Sequence, residues 1–162
     1  MTVTKIVLLS FLAATLAAAG TLDDAPFRVV LPNNSWVLND STTQDMGKNV
    51  FLVASITSTN TQSKSVIIKA EIENPSASSL DEFSAGIRGQ LSNPIVKKLS
   101  EEQTVFLGFK AIHFTYLVNG TSYNEAVVFV AGKTGWTIAG TGLLDQKNEI
   151  KKLFSFYKNK LK

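Results

Sequence analysis

The chain contains no cysteine and one histidine, His113. Disulfides, iron–sulfur clusters, cysteine zinc sites and thiolate catalysis are therefore excluded, and no histidine cluster can hold a metal. Packing alone must hold the fold. Proline-rich and low-complexity stretches are missing too, so nothing divides the chain into several domains. Charge is mild: 16 Lys and Arg stand against 13 Asp and Glu, a formal net +3. Such a balance argues only weakly for a polyanionic partner. No basic stretch is interleaved with base-stacking aromatics, so nucleic acid is not an expected partner.

What is present begins at the N-terminus. Lys5 supplies a positive charge, Ile6 to Leu16 form an apolar run, and Ala17-Ala18-Ala19 offer the small residues that signal peptidase needs. The run is shorter than the roughly 20 residues that span a bilayer, which disfavours a membrane anchor. Residues 1–19 thus read as a signal peptide and 20–162 as a single globular domain. A lipoprotein signal needs a cysteine at the cleavage site, so the expected location is periplasmic or secreted without lipid. An exported domain with no disulfide suits a bacterial envelope. The sequons at Asn33, Asn39 and Asn119 arise readily by chance in a chain rich in Ser, Thr and Asn.

Strand signals follow at Phe27–Leu31, Trp36–Leu38, Val50–Ile56 and Ser65–Ile72, with a turn at Pro32–Ser35 and a polar loop at Asn39–Asn49. In Ser65–Ile72, Ile67, Lys69 and Glu71 alternate with Val66, Ile68, Ala70 and Ile72, which predicts a sheet face partly open to water. Ser79-Leu80-Asp81-Glu82 reads as a capping box, the Ser79 hydroxyl accepting from the amide of Glu82. It opens a helix with Leu80, Phe83, Ile87 and Leu91 on one stripe, in which Gly86 and Gly89 could allow close approach to a sheet.

A meander occupies the second half. Val96–Leu99 and Val105–Leu107 flank an acidic turn at Glu101-Glu102. Phe109–Val118 and Tyr123–Ala131 flank Asn119-Gly120, a hairpin signal. A two-residue loop there would set Tyr116 against Tyr123, Ile112 against Val127 and His113 against Ala126. Both faces then carry bulky apolar groups and need cover. From Leu143 to Leu161 a final helix aligns Ile150, Leu153, Phe154, Tyr157 and Leu161, with Lys147, Lys151, Lys152, Lys158 and Lys160 around them.

This order of elements resembles the PsbP-like superfamily, whose members include the extrinsic PsbP subunit of photosystem II, a Ran-binding nuclear import factor and bacterial envelope proteins of the DcrB and LpqN types. The residues carrying the resemblance are Phe27–Pro32 with Trp36, Leu80-Asp81-Glu82-Phe83, Gly108-Phe109-Lys110-Ala111 and Trp136–Thr141. The resemblance implies an α+β fold, an antiparallel β-sheet covered by two main helices in an α/β/α sandwich, and a non-catalytic accessory role. Many bacterial members are lipoproteins, and this chain departs from them in lacking the cysteine. Fold fixes no site.

No constellation commits the chain to a reaction. Gly132-Lys133-Thr134 looks like the end of a phosphate-binding loop, but Val127 stands where its first glycine belongs and Trp136 starts a strand, so a hairpin turn is expected. His113 has no identifiable nucleophile partner and reads as a hydrogen-bonded or solvent-facing sheet residue. Asp23-Asp24, Asp81-Glu82 and Glu101-Glu102 lack metal-loop or glycosidase spacing and read as solvated. Trp36, Tyr116, Tyr123 and Trp136 could line a groove, but suit core positions better. No catalytic, metal or cofactor site is expected, and the binding residues stay unassigned. The expected function is an exported accessory or binding protein of the bacterial cell envelope, with a protein partner or small ligand. Two alternatives stay open. One is a small-molecule or lipid binder touching anionic membrane peripherally through the basic C-terminal helix; the other is a hydrolase with a dispersed active site.

Overall fold

The computed structural model describes residues 22–40, 44–47 and 49–161, so the expected signal peptide lies outside the described residues. Along the chain come β1 (Trp36–Asn39), β2 (Gln44–Gly47), β3 (Val50–Ser58), β4 (Lys64–Glu71), α1 (Ser79–Leu91), β5 (Val96–Phe106), β6 (Phe109–Val118), β7 (Ser122–Ala131), β8 (Thr134–Leu143) and α2 (Lys147–Lys160). The strands form one antiparallel sheet in the order β1-β3-β4-β8-β7-β6-β5, and β2 also pairs with β3. The fold is α+β, with α1 on one face and α2 on the other.

Strand alternation builds a separate core on each face. On one face Ile67, Ala111, Val127, Phe129, Trp136 and Ile138 meet Ile150, Leu153, Phe154 and Tyr157 of α2. On the other, Val66, Ile112, Phe114, Tyr116, Ala126 and Val128 meet Ile87 and Leu91 of α1. The expected C-terminal stripe is the buried face of α2, and each Leu or Phe it buries is worth roughly 1.5–3 kcal/mol. Glycine sets how close the helices come. A Cβ on Gly140 of β8 would lie 2.6 Å from Cε2 of Phe154, and one on Gly135 would lie 2.8 Å from the Phe83 ring. Gly86 and Gly89 play no such part, since a Cβ added to either would meet no packed neighbour within 4 Å.

Several expectations are corrected. Phe27–Leu31 joins no ladder. It crosses the α2 face, where the Phe27 ring packs edge-on to Trp136 with centroids 5.3 Å apart. Burial of its apolar side chains holds it there without sheet hydrogen bonds. The expected open face of β4 is closed: Lys69 is buried and pairs with Asp24, in the turn that precedes this segment. The polar loop before β3 contains β2. The acidic turn is also absent, because β5 runs unbroken through Glu101-Glu102. Its ladder to β6 carries these polar residues, with a bulge between Lys98 and Ser100. Arg88 of α1 compensates Glu101 at 2.7 Å, and Lys98 adds a second partner at 3.1 Å. As an edge strand rich in charge, β5 is protected from pairing with other chains.

The capping box does not form as expected. Ser79 is already helical, and its hydroxyl accepts from the Ser76 amide at 2.6 Å. Ser78 takes the cap position, and its hydroxyl donates to the Glu82 carboxylate.

The main correction is one of register. Asn119 and Gly120 both adopt positive φ, as a tight hairpin requires. Thr121, however, is also part of the loop, and pairing starts with Val118 against Ser122. The Thr121 carbonyl instead accepts from the Leu144 amide at 2.8 Å, which draws this residue toward the end of β8. Tyr123 therefore faces Leu117, Val127 faces His113, and Val128 faces Ile112. A one-residue slip exchanges the residues that share a face.

Candidate binding cleft

Because α2 lies over β7 and β8, the β5–β6 side of the same face is left partly uncovered. A cleft of about 450 Å³ opens there. Strands supply its floor, including Ser100, Thr104, His113, Thr115, Tyr123, Glu125 and Val127. Lys151, Phe154, Ser155 and Lys158 of α2 form a wall. A larger hollow of about 680 Å³ lies beside the start of α1, but its ionisable lining residues, Asp81 and Lys110, are exposed.

At the floor of the cleft sits Glu125, with its side chain 4% exposed. Both carboxylate oxygens are occupied. The Tyr123 hydroxyl donates to Oε1 at 2.8 Å, and His113 Nε2 lies 2.8 Å from Oε2. Burial first, and then the adjacent carboxylate, push the Tyr123 pKa up, so its hydroxyl keeps the proton it donates. A carboxylate only accepts, so this hydrogen-bond pattern places a proton on Nε2 of His113. A neutral ring then presents Nδ1 as an acceptor. The imidazole is clamped from its other side by Phe154, nearly parallel at a centroid distance of 6.0 Å. Beside it, Ser100 and Thr115 share a hydrogen bond of 2.8 Å. At the rim the Lys151 ammonium stands 5.7 Å from the centroid of the Tyr123 ring.

This architecture matches solved structures across most of its length. Against the solution structure of cyanobacterial PsbP (CyanoP) from Synechocystis sp. PCC 6803, the TM-score is 0.53 at 13% identity, covering 80% of this chain and 82% of that one. Against LpqN, involved in cell envelope biogenesis of Mycobacterium tuberculosis, it is 0.50 at 12% identity, covering 78% and 83%. The fold is PsbP-like. Identities this low establish the fold alone. No protein-family model and no curated protein matches the sequence.

On this PsbP-like sheet the residues singled out from sequence separate clearly. His113 is hydrogen-bonded, as expected, but to a residue that sequence reasoning missed. Glu125 was hidden because the two-residue hairpin placed His113 on the face of Asn124 and Ala126. A three-residue loop would have revealed the pair. Of the four aromatics, Tyr123 lines the cleft, whereas Trp36, Trp136 and Tyr116 are core. Gly132-Lys133-Thr134 is a hairpin turn, with Ala131 paired to Thr134. Asp24, Asp81 and Glu101 are each ion-paired, with Asp24 and Asp81 exposed and Glu101 half-buried. Among the described residues no group of three His, Asp or Glu side chains could hold a metal, and no helix is long and apolar enough to cross a membrane.

Proposed function

We propose that this PsbP-like protein is an exported accessory protein of the bacterial cell envelope that acts by binding a ligand in the cleft between α2 and β5–β6. The observation carrying this reading is the floor of the cleft: a buried carboxylate held by Tyr123 and His113 on a rigid sheet, with Phe106, Val127 and Phe154 lining the same concavity. Ligand sites combine these features, a largely apolar concavity with a few fixed polar groups. Export is supported by Lys5, the apolar run and Ala17-Ala18-Ala19. An envelope role agrees with that of LpqN, which is involved in cell envelope biogenesis. Mass spectrometry of the protein from its native host should find a mature N-terminus at Gly20 or Thr21. An intact Met1 in the membrane fraction would refute export with cleavage.

A hydrolase is the second reading, because a carboxylate-oriented histidine is an arrangement that general-base catalysis uses. Among the described residues no hydroxyl hydrogen-bonds to Nδ1 of His113, which favours binding. Turnover in a broad hydrolase panel, abolished by His113→Ala, would reverse that preference.

A further inference from the structure

We infer that the ligand of this cleft is an amphipathic organic anion, its charged head held by Lys151 and Lys158 and its apolar body lying on Phe106, Val127 and Phe154. The inference rests on the binding reading of the cleft and names the class of molecule bound. Three observations point to it. Lys151 and Lys158 are seven residues apart on α2, so they lie on one side of the helix, and both line the cleft. Among the described residues neither forms an ion pair. The cleft's own carboxylate, Glu125, sets one negative charge against these two ammonium groups, and both of its oxygens are already engaged below the surface. The mouth thus keeps an excess of positive charge, which attracts anions and disfavours cations.

Beside its polar floor the cleft also carries apolar side chains. Phe106, Val127 and Phe154 are buried members of the core that also reach the cleft wall. A purely polar anion, such as inorganic phosphate, would leave this surface wet; a neutral apolar molecule would leave the lysines unmatched. An anionic head on an apolar tail satisfies both parts. Lys147, Lys152 and Lys160 are exposed on α2 but do not line the cleft. They separate this inference from a membrane-surface reading, in which lysines all over the helix would contribute alike.

The test uses the mature protein titrated with decanoate, decyl glucoside and decyltrimethylammonium, each kept below its micelle threshold, with calorimetry and amide chemical shifts as readouts. Decanoate should bind and move the resonances of β5, β6 and α2, with affinity falling as salt rises. The two other amphiphiles should bind much more weakly. Lys151→Gln with Lys158→Gln should weaken decanoate by about tenfold or more, the factor that one ordinary charge-assisted hydrogen bond supplies. Lys147→Gln with Lys152→Gln should leave it unchanged, and both variants should keep the parent melting temperature. Equal binding of decanoate and decyl glucoside at the cleft would overturn the anion inference and leave the binding reading standing. Equal loss in both lysine pairs, with protein sedimenting on anionic vesicles, would overturn it in favour of a membrane surface. No binding of any amphiphile would overturn both.

Discussion

At the scale of single residues, Glu125 has the most to lose. Its carboxylate accepts from Tyr123 and pairs with His113 in a position almost closed to water. Removing it strands the Tyr123 hydroxyl, which is buried and keeps its proton. An orphaned buried polar group costs about 1–3 kcal/mol. Glu125→Ala should therefore lower unfolding free energy by at least that amount in urea titrations. Glu125→Gln, which can still accept from Tyr123, should be milder. Equal stability of the alanine variant and the parent would mean that the network contributes nothing to the fold. Gly140 shows the same dependence on environment: its missing side chain matters because Phe154 occupies the space.

At the scale of elements, α2 divides into a packing face and a charged face. Phe154 is buried, stacks on His113 and meets Tyr157 edge-on with centroids 5.8 Å apart. Truncating a large aromatic side chain in a core costs roughly 3–5 kcal/mol. Phe154→Ala should lower stability by about that much in thermal or urea melts. Lys151→Ala with Lys152→Ala removes two exposed charges and should leave the melting temperature nearly unchanged, within the usual range for surface substitutions. A silent Phe154→Ala would show that α2 is not docked on the sheet. The end of the helix near the β3–β4 turn is tied differently: the hydroxyls of Ser58 and Thr61 donate to Glu149 at 3.0 and 2.5 Å.

At the scale of the whole molecule, carboxylates on both faces tie helices to the sheet, so acid should loosen the entire sandwich. Burial acts to raise the Glu149 carboxyl, but the hydroxyls around it outweigh that and hold it below the ordinary value. The bond from Arg88 holds Glu101 low against a smaller effect of burial, with Lys98 assisting. Both folded-state values thus lie below the unfolded ones, near 4.3. Between the two the unfolded chain binds more protons, so falling pH favours unfolding. The stabilisation is complete above the ordinary carboxylate range and is lost as pH falls through the folded values. Urea midpoints measured across that range should fall on acidification, and Glu101→Gln with Glu149→Gln should flatten the fall. An unchanged slope in the double variant would remove these residues from the account.

Across that same molecule, periodicity and tertiary contact decided different things. The sequence by itself determined the apolar stripes of α1 and α2, the β6–β7–β8 meander and the need to cover both sheet faces, since spacings of 3.6 and 2 follow from local backbone geometry. It also determined the absence of cysteine chemistry. Only the tertiary structure decided the register across Asn119–Thr121, because the bond from Leu144 to the Thr121 carbonyl joins segments distant in sequence. From that register came the pairing of His113 with Glu125 and the floor of the cleft. The strand character of Ser100–Thr104 was likewise set by pairing with β6 rather than by propensity. The fate of Phe27–Leu31 was set by the aromatic face it covers. Local pattern specifies which side chains must be buried; the long-range ladder specifies which of them meet, and here the cleft is made where they meet.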